Sequence, residues 1–586
     1  MAEKAITKKE KKGINKTEIT EKTTKITFNI LAIFCLVLFS IAIVSKEFQN
    51  DTFYTIKIGQ LIRTNGIDYK DHFSWISDLP YTYPHWLYDV MISIIYDHMG
   101  GFTGVYISTM VFSAIMAICL YFTNKKISKN SLISFLMAWV QMYLLKPYIT
   151  ARAQLVTFIL FILTVFFIEK FLEKPKPIYA IILIIIPTLI ANLHAAVFPF
   201  YFILYLPYIG EYLIRLLIDF NLFHKLRITL IKDKINFTNK KLKKANEKDA
   251  KKYQKQLTNL NIELDEANKS LEKFANKEKE KLANPYKLEI ERNDNVKKLI
   301  LIMILCAFTG FLTPLKGAPY TYTWKTAKGS SLQNINEHLP LTLINNKPLI
   351  VFLTIAFILP MFTKIKVKLR DVFFFSGLLL LAFMSRRQTS MLVIFGGFAL
   401  GRVVAELVKK YDSTGTKEMI KYMTSYLGET LSILLFIVIA YAYYKPNFKT
   451  EYVSKNSYPT EAVKWIKENL DYTSDDFKIF NEYNYGSYML MNDVPVFIDS
   501  RCDLYMPEFN GEYDKEKKKY EGQNIFQDFM NIVSITTDFD KKFEEYDIKY
   551  VMTKPNSKLA MLIEKEPENY KEIYKDNSFK IYERLK

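Results

Sequence analysis

Apolar runs of roughly 17–21 residues recur along this chain, and they constrain its fold more than any other feature. At about 1.5 Å of helical rise per residue, a run of that length matches a hydrocarbon core about 30 Å thick. The first run, "ITFNILAIFCLVLFSIAIV" (26–44), follows a basic leader, "KKEKKGINKTEITEKTTK". No small-residue cleavage site comes after it, so it reads as an uncleaved signal anchor. Eleven spans are predicted, at approximately 26–45, 101–123, 131–147, 152–170, 177–193, 197–217, 298–314, 347–363, 370–385, 389–406 and 428–444. The chain is therefore expected to be a polytopic α-helical membrane protein.

The Lys and Arg residues test the alternation of loops. The basic tail 1–25, "NKKISKN" (124–130), "EKFLEKPKP" (169–177), the region 218–297, "TKIKVKLR" (363–370) and "KKYDSTGTKEMIKY" (409–422) all fall on one side and are all basic. Positive loops face the cytoplasm, which puts the N-terminus inside the plasma membrane and residues 445–586 outside. The same asymmetry accounts for the net charge of +19, so nucleic acid is not an expected partner. Of four cysteines, Cys35, Cys119 and Cys306 lie in apolar runs and Cys502 stands alone, which argues against a disulfide framework.

Two segments depart from the membrane pattern. Within 218–297, Ala250, Tyr253, Leu257, Leu260, Leu264, Ala267, Leu271 and Phe274 recur at spacings of three and four. This heptad seam suits a cytoplasmic coiled-coil insertion, either a hairpin packing on itself or a helix for homodimerisation or a partner. It divides an N-terminal membrane module (26–217, with a long first outer loop at 46–100) from a C-terminal one (298–444). Beyond 445, "FKIFNEY" (477–483), "VPVFIDS" (494–500), "IKYVMTK" (548–554) and "FKIYERL" (579–585) read as short strands, with helices near 459–470 and 557–566. That predicts a small extracytoplasmic α/β domain. Gly486 in "YNYGSY" is expected to serve packing at a tight strand-to-helix turn.

The polar residues of the outer loops carry the chemistry. Asp51, Asp68, Asp71, Asp89 and Glu337 are there, with His72, His85, His98, His194 and His338. Singly, each reads as a solvated or interfacial residue; together they offer a carboxylate base with histidines. Lys146 and Arg152 flank "PYITA", and Arg386 and Arg387 tip a tight hairpin in "SRRQTS". Arginine is expensive beside apolar spans unless paired, and its fork matches phosphate oxygens. The span centres are nearly free of ionisable residues, which favours interfacial chemistry over a transporter or flippase for a lipid-linked or anionic substrate.

An acid just outside the first span, followed by many spans and an outer soluble domain, resembles the GT-C superfamily of membrane glycosyltransferases. More closely, "NDTFYTIKIGQLI", "NGIDYKDHFSW", "YPHWLYDVM", "TARAQLVTF", "ANLHAAVF", "INEHLP", "SRRQTSML", "FNEYNYGSYML" and "VFIDSRCDLY" are similar to an uncharacterised bacterial branch of it. The resemblance spans nearly the whole chain except the insertion. It implies a polyprenyl-phosphate-linked sugar as donor and a glycan, lipid or protein as acceptor. It also implies Asp51 as catalytic base, with Asp71 and Glu337 as further catalytic acids. Arg386, Arg387, Arg152, Lys146, His85 and His194 would bind substrate. Where such an enzyme uses Mg or Mn, Asp51 and His194 are the residues to hold it. The chain departs from the branch at "PHWL", where an acid is expected in place of His85, and at "NDT", where many relatives have two adjacent acids. Both departures weaken the case for a divalent metal and leave open an inactive relative.

Overall fold

The computed structural model describes residues 2–219, 221–243, 245–283, 287–329, 335, 337–344 and 346–585. Helices occupy all eleven predicted segments. Among the described residues, six helical segments are long and apolar enough to cross a membrane: Glu21–Ala42, Phe102–Ser128, Ala153–Glu173, Ala195–Asp219, Arg386–Tyr411 and Tyr426–Phe448. Pro177–Leu193 and Lys347–Phe362 are shorter apolar helices. The helical membrane class is borne out, while eleven full crossings are more than these segments support. Helices such as Ser131–Leu145 and Asn295–Cys306 are too short for a hydrocarbon core of about 30 Å at about 1.5 Å per residue.

Burial sorts the crossing helices by position. Arg386–Tyr411 is mostly enclosed, with a π-helical stretch at Leu392–Gly396 whose side chains are all buried. Tyr426–Phe448 is peripheral and leaves Leu431, Leu434, Leu435 and Val438 exposed, as a lipid-facing helix does. Ile181, Ile185 and Leu189 make a similar stripe at spacing four on Pro177–Leu193.

The predicted outer loop 46–100 is itself folded. It contains helices Asn50–Asn65 and Trp86–His98, which pack on each other. Gly59 permits that contact: a Cβ there would lie 2.0 Å from the carbonyl oxygen of Asp89. Asn50–Asn65 also packs on Tyr483–Met491 of the C-terminal region.

That region is an α/β unit. Its sheet runs in the order Ile479–Phe480, Tyr550–Thr553, Lys580–Arg584, Tyr570–Lys575, with the first pair parallel and the rest antiparallel. Three predicted strands fall within it. The fourth, 494–500, lies outside the sheet and forms a parallel bridge between Val496 and Ser74 of the first loop. Backbone bonds from Trp75 to Val496 and from Val496 to Phe73 hold the bridge. The strand Tyr570–Lys575 was not anticipated, because its lysines and glutamate mask the alternation. Gly486 has the packing role expected, but inside helix Tyr483–Met491, where a Cβ would lie 2.0 Å from the Ile498 carbonyl.

The insertion forms two helices, Leu222–Leu242 and Glu247–Ala283, packed on each other. Ile228, Ile231 and Ala267 are buried between them, flanked by Ile235, Leu264 and Leu271. The rings of His224 and Phe274 meet at 4.9 Å. The seam residues Leu264, Ala267, Leu271 and Phe274 thus face the partner helix of their own hairpin.

Candidate functional site

A cavity of about 760 Å³ lies where the ends of the apolar helices meet the first loop and the α/β region. Asp51, His85, Arg152, His194, Glu337 and Arg387 all line it.

Asp51 sits in the first turn of Asn50–Asn65, where the exposed N–H groups of a helix start favour a carboxylate. Asn50 Nδ2 donates to the Tyr483 carbonyl at 2.8 Å and Thr52 Oγ1 to the Ala151 carbonyl at 3.3 Å, which fixes this turn against two distant segments. Arg152, just before helix Ala153–Glu173, forms an ion pair with Asp51. Its other guanidinium nitrogen donates to Glu337 at 3.2 Å and to Gln49 Oε1 at 3.4 Å. One guanidinium is therefore shared by two carboxylates. Burial raises the Glu337 pKa, but Arg152 and Arg387 outweigh it and hold the carboxyl below its ordinary range.

Arg387 belongs to the turn Arg386–Gln388. Its backbone N–H donates to the Glu337 carbonyl at 3.0 Å, and that of Arg386 donates to Leu339 at 2.8 Å, so the 337–339 loop is tied to this turn. The side chain of Arg387 has no ion pair among the described residues, which leaves it the cation available to an incoming anion.

Three histidines here, His85, His194 and His338, are held below the ordinary imidazole range. Burial, then Arg152 and Arg387, push His85 down to about 3. Burial, His85 and the same two arginines hold His194 well below its ordinary value. Burial and Arg387 lower His338 to about 4. The His85 and His194 rings contact at 5.1 Å, and His194 Nδ1 shares a 2.9 Å hydrogen bond with Thr157. Ala195 N donates to the Pro84 carbonyl at 2.9 Å and Trp86 Nε1 to Asn192 Oδ1 at 3.1 Å, which sets the "NLH" element against the first loop.

Three of the expected site residues lie away from this lining. Asp71 pairs with Arg501 at 2.5 Å, and Arg501 pairs with Asp499 at 2.6 Å; all three side chains are almost fully buried. The Tyr505 hydroxyl donates to Asp499 at 2.6 Å, and the Arg501 guanidinium lies 5.0 Å from the Tyr81 ring centre. This cluster docks the first loop on the α/β region. Lys146 Nζ lies 5.0 Å from the Tyr443 ring centre. Arg386 keeps a buried Nε without a hydrogen-bond partner.

The structure adds residues that no role had been given. Asp503 accepts from the Tyr322 hydroxyl, and burial raises its pKa. Glu482 accepts from Thr553 Oγ1 at 3.0 Å, and burial raises its pKa too. Both line the cavity with Tyr54 and Tyr483, and Phe526 and Phe529 add an apolar wall. The quoted stretches "FNEYNYGSYML" and "VFIDSRCDLY" contained several of them, but their spacing carried no sign of which side chains turn inward.

Among the described residues, no group of three or more His, Cys, Asp or Glu side chains could hold a metal ion. Asp51 pairs with Arg152 and His194 Nδ1 with Thr157, so a cation at Asp51 would compete with the Arg152 guanidinium.

No protein-family model matches the chain, and no curated protein matches it in sequence. Among solved structures it is similar to the apo crystal structure of the Archaeoglobus fulgidus oligosaccharyltransferase, with a TM-score of 0.52 over 91% of this chain and 69% of that one. Sequence identity is 11%, so the likeness is one of fold. The fold is GT-C-like.

Proposed function

We propose that this chain is a membrane glycosyltransferase that moves a sugar from a polyprenyl-phosphate carrier to an acceptor bound in the Asp51 cavity. The convergence of Asp51, Arg152, Glu337 and Arg387 on one cavity at the ends of apolar helices carries this reading. It supplies a base and two guanidiniums at the depth where a lipid-linked phosphate would lie. The GT-C-like fold shared with a protein named as an oligosaccharyltransferase supports the same class of reaction. The basic leader and the Lys-rich segments lie at the other end of the helices, which supports an N-terminus inside the plasma membrane and a cavity outside it.

In this mechanism the polyprenyl tail lies among the spans and its phosphate meets Arg387. Arg152 then exchanges a carboxylate partner for phosphate oxygen, which frees Asp51. Asp51 takes the proton of an acceptor hydroxyl as that oxygen forms a bond to the anomeric carbon. The bond from the anomeric carbon to the carrier phosphate oxygen breaks, and its electron pair leaves with the phosphate. One displacement inverts the anomeric centre. Fixed cations that receive the leaving charge are commonly the largest catalytic contribution. The neutral imidazoles of His85 and His194 hydrogen-bond sugar hydroxyls without adding charge, and the α/β region covers and orients the acceptor.

Release of carrier phosphate from labelled carrier-linked sugar tests the proposal on purified protein. Asp51→Asn should bind carrier but lose about 10²–10⁴-fold in turnover. Arg387→Ala should lose carrier affinity, with Arg386→Ala close to wild type. Full turnover by a folded Asp51→Asn would remove the base assignment. Carrier binding without release by any form would favour transport.

A further inference from the structure

A second cavity, of about 620 Å³, lies at the opposite end of the same helices. Glu169 in its wall is 17 positions along from Arg152, which is roughly 25 Å of helix. The cavity is bounded by the C-terminal ends of Phe102–Ser128, Ala153–Glu173 and Gly397–Tyr411 and by the start of Leu369–Met384.

Its lining holds eight Lys or Arg and four Glu, and two acids outside the lining, Asp371 and Glu211, pair with Arg402 and Arg370. The glutamates are engaged. Glu169 pairs with Arg402 at 2.9 Å, Glu173 with Lys126, Glu291 with Lys368 at 2.5 Å, and Glu406 with Lys409 at 3.8 Å. Lys25, Lys129 and Lys417 make no close ion pair among the described residues, though Lys129 lies near enough to Glu173 to favour its carboxylate.

Arg402 provides an independent observation. Its side chain is 9% exposed; Nη2 bonds Glu169 at 2.9 Å, Nε faces Asp371 at 3.4 Å, and the buried Nη1 has no hydrogen-bond partner. A buried guanidinium N–H without an acceptor is costly, and native structures rarely keep one without a use. Arg402 lines a cation-rich cavity at the edge of an apolar bundle. Ammonium groups of Lys25, Lys129 and Lys417 around a guanidinium suit the charge of phosphate oxygens.

We infer that this cavity binds a phosphate-bearing ligand, and that its place at the ends of apolar helices favours the headgroup of an anionic lipid. The site is separate from the Asp51 cavity and does not depend on the reaction proposed there.

The test uses full-length protein in neutral phosphatidylcholine nanodiscs, titrated with dioctanoyl phosphatidylglycerol and, separately, with inorganic phosphate. Native mass spectrometry should show a one-to-one lipid adduct, with a rise in melting temperature. The double variant K129A/K417A, at two exposed rim positions, should weaken that affinity at least about tenfold. R402Q should weaken it further, provided its melting temperature without ligand shows it folded. Displacement of the lipid by inorganic phosphate would identify a free anion as the ligand, and no displacement would identify the headgroup. Equal binding of neutral dioctanoyl phosphatidylcholine, or wild-type affinity in K129A/K417A, would overturn the inference.

Discussion

Burial first, and then the cations of the cavity, disfavour a charge on His85, His194 and His338, which lowers stability in acid. Above their ordinary pKa near 6.5 the imidazoles are neutral in both the folded and unfolded chain. Below it the unfolded chain takes up protons that the fold refuses, so the unfolded state binds more protons and stability is lost as the pH is lowered. The loss runs from about 6.5 down to the folded values of about 3 for His85 and about 4 for His338. We expect the melting temperature to drop between about pH 7 and about pH 5, and to drop less steeply in H85N/H194N. Parallel curves for the two proteins would show that the histidines are not the cause. At this scale the sequence could nominate candidates but not choose among them. Arg386 and Arg387 are neighbours in one tight turn with about three residues per revolution, so their side chains diverge and only Arg387 reaches the cavity lining. Asp51 and Asp71 share a loop, yet one faces the cavity and the other faces Arg501.

The first loop and the α/β region are joined as elements by the Asp71–Arg501–Asp499 cluster and by the bridge from Ser74 to Val496. Removing Arg501 would leave two carboxylates buried without their cation. Loss of one partner from such a cluster typically costs about 3–5 kcal/mol. Arg501→Met should therefore lower the denaturation midpoint by that order and loosen the loop, with faster amide exchange at residues 71–75. Exchange at wild-type rates would mean that the apolar contacts suffice. The helical segments were legible because apolar periodicity is a local property of the chain. The segment 494–500 was misread because an apolar run of seven residues also suits an extended segment that bridges to a loop.

Across the whole molecule, one continuous apolar cluster runs from Phe28 in the first crossing helix to Tyr582 in the last strand, so the membrane module and the α/β region share a core. The helical insertion stands outside it, with a small core of its own. The second half of its seam packs within its own hairpin, so deleting residues 222–283 should leave the number of chains per particle and carrier-phosphate release unchanged. A fall in the number of chains per particle on deletion would restore the dimerisation role. The sequence by itself determined that the chain is rich in apolar helices of membrane character, that an α/β unit follows them, and which acids and arginines are candidates for a site. Each of these follows from apolar run length or from where charge is tolerated, and both are read over a few neighbouring residues. Only the tertiary structure decided which of those charges meet. Arg152 lies 101 positions from Asp51 and 185 from Glu337, and Asp71 lies 430 from Arg501. Packing of the helices sets such pairings, and no local pattern records it.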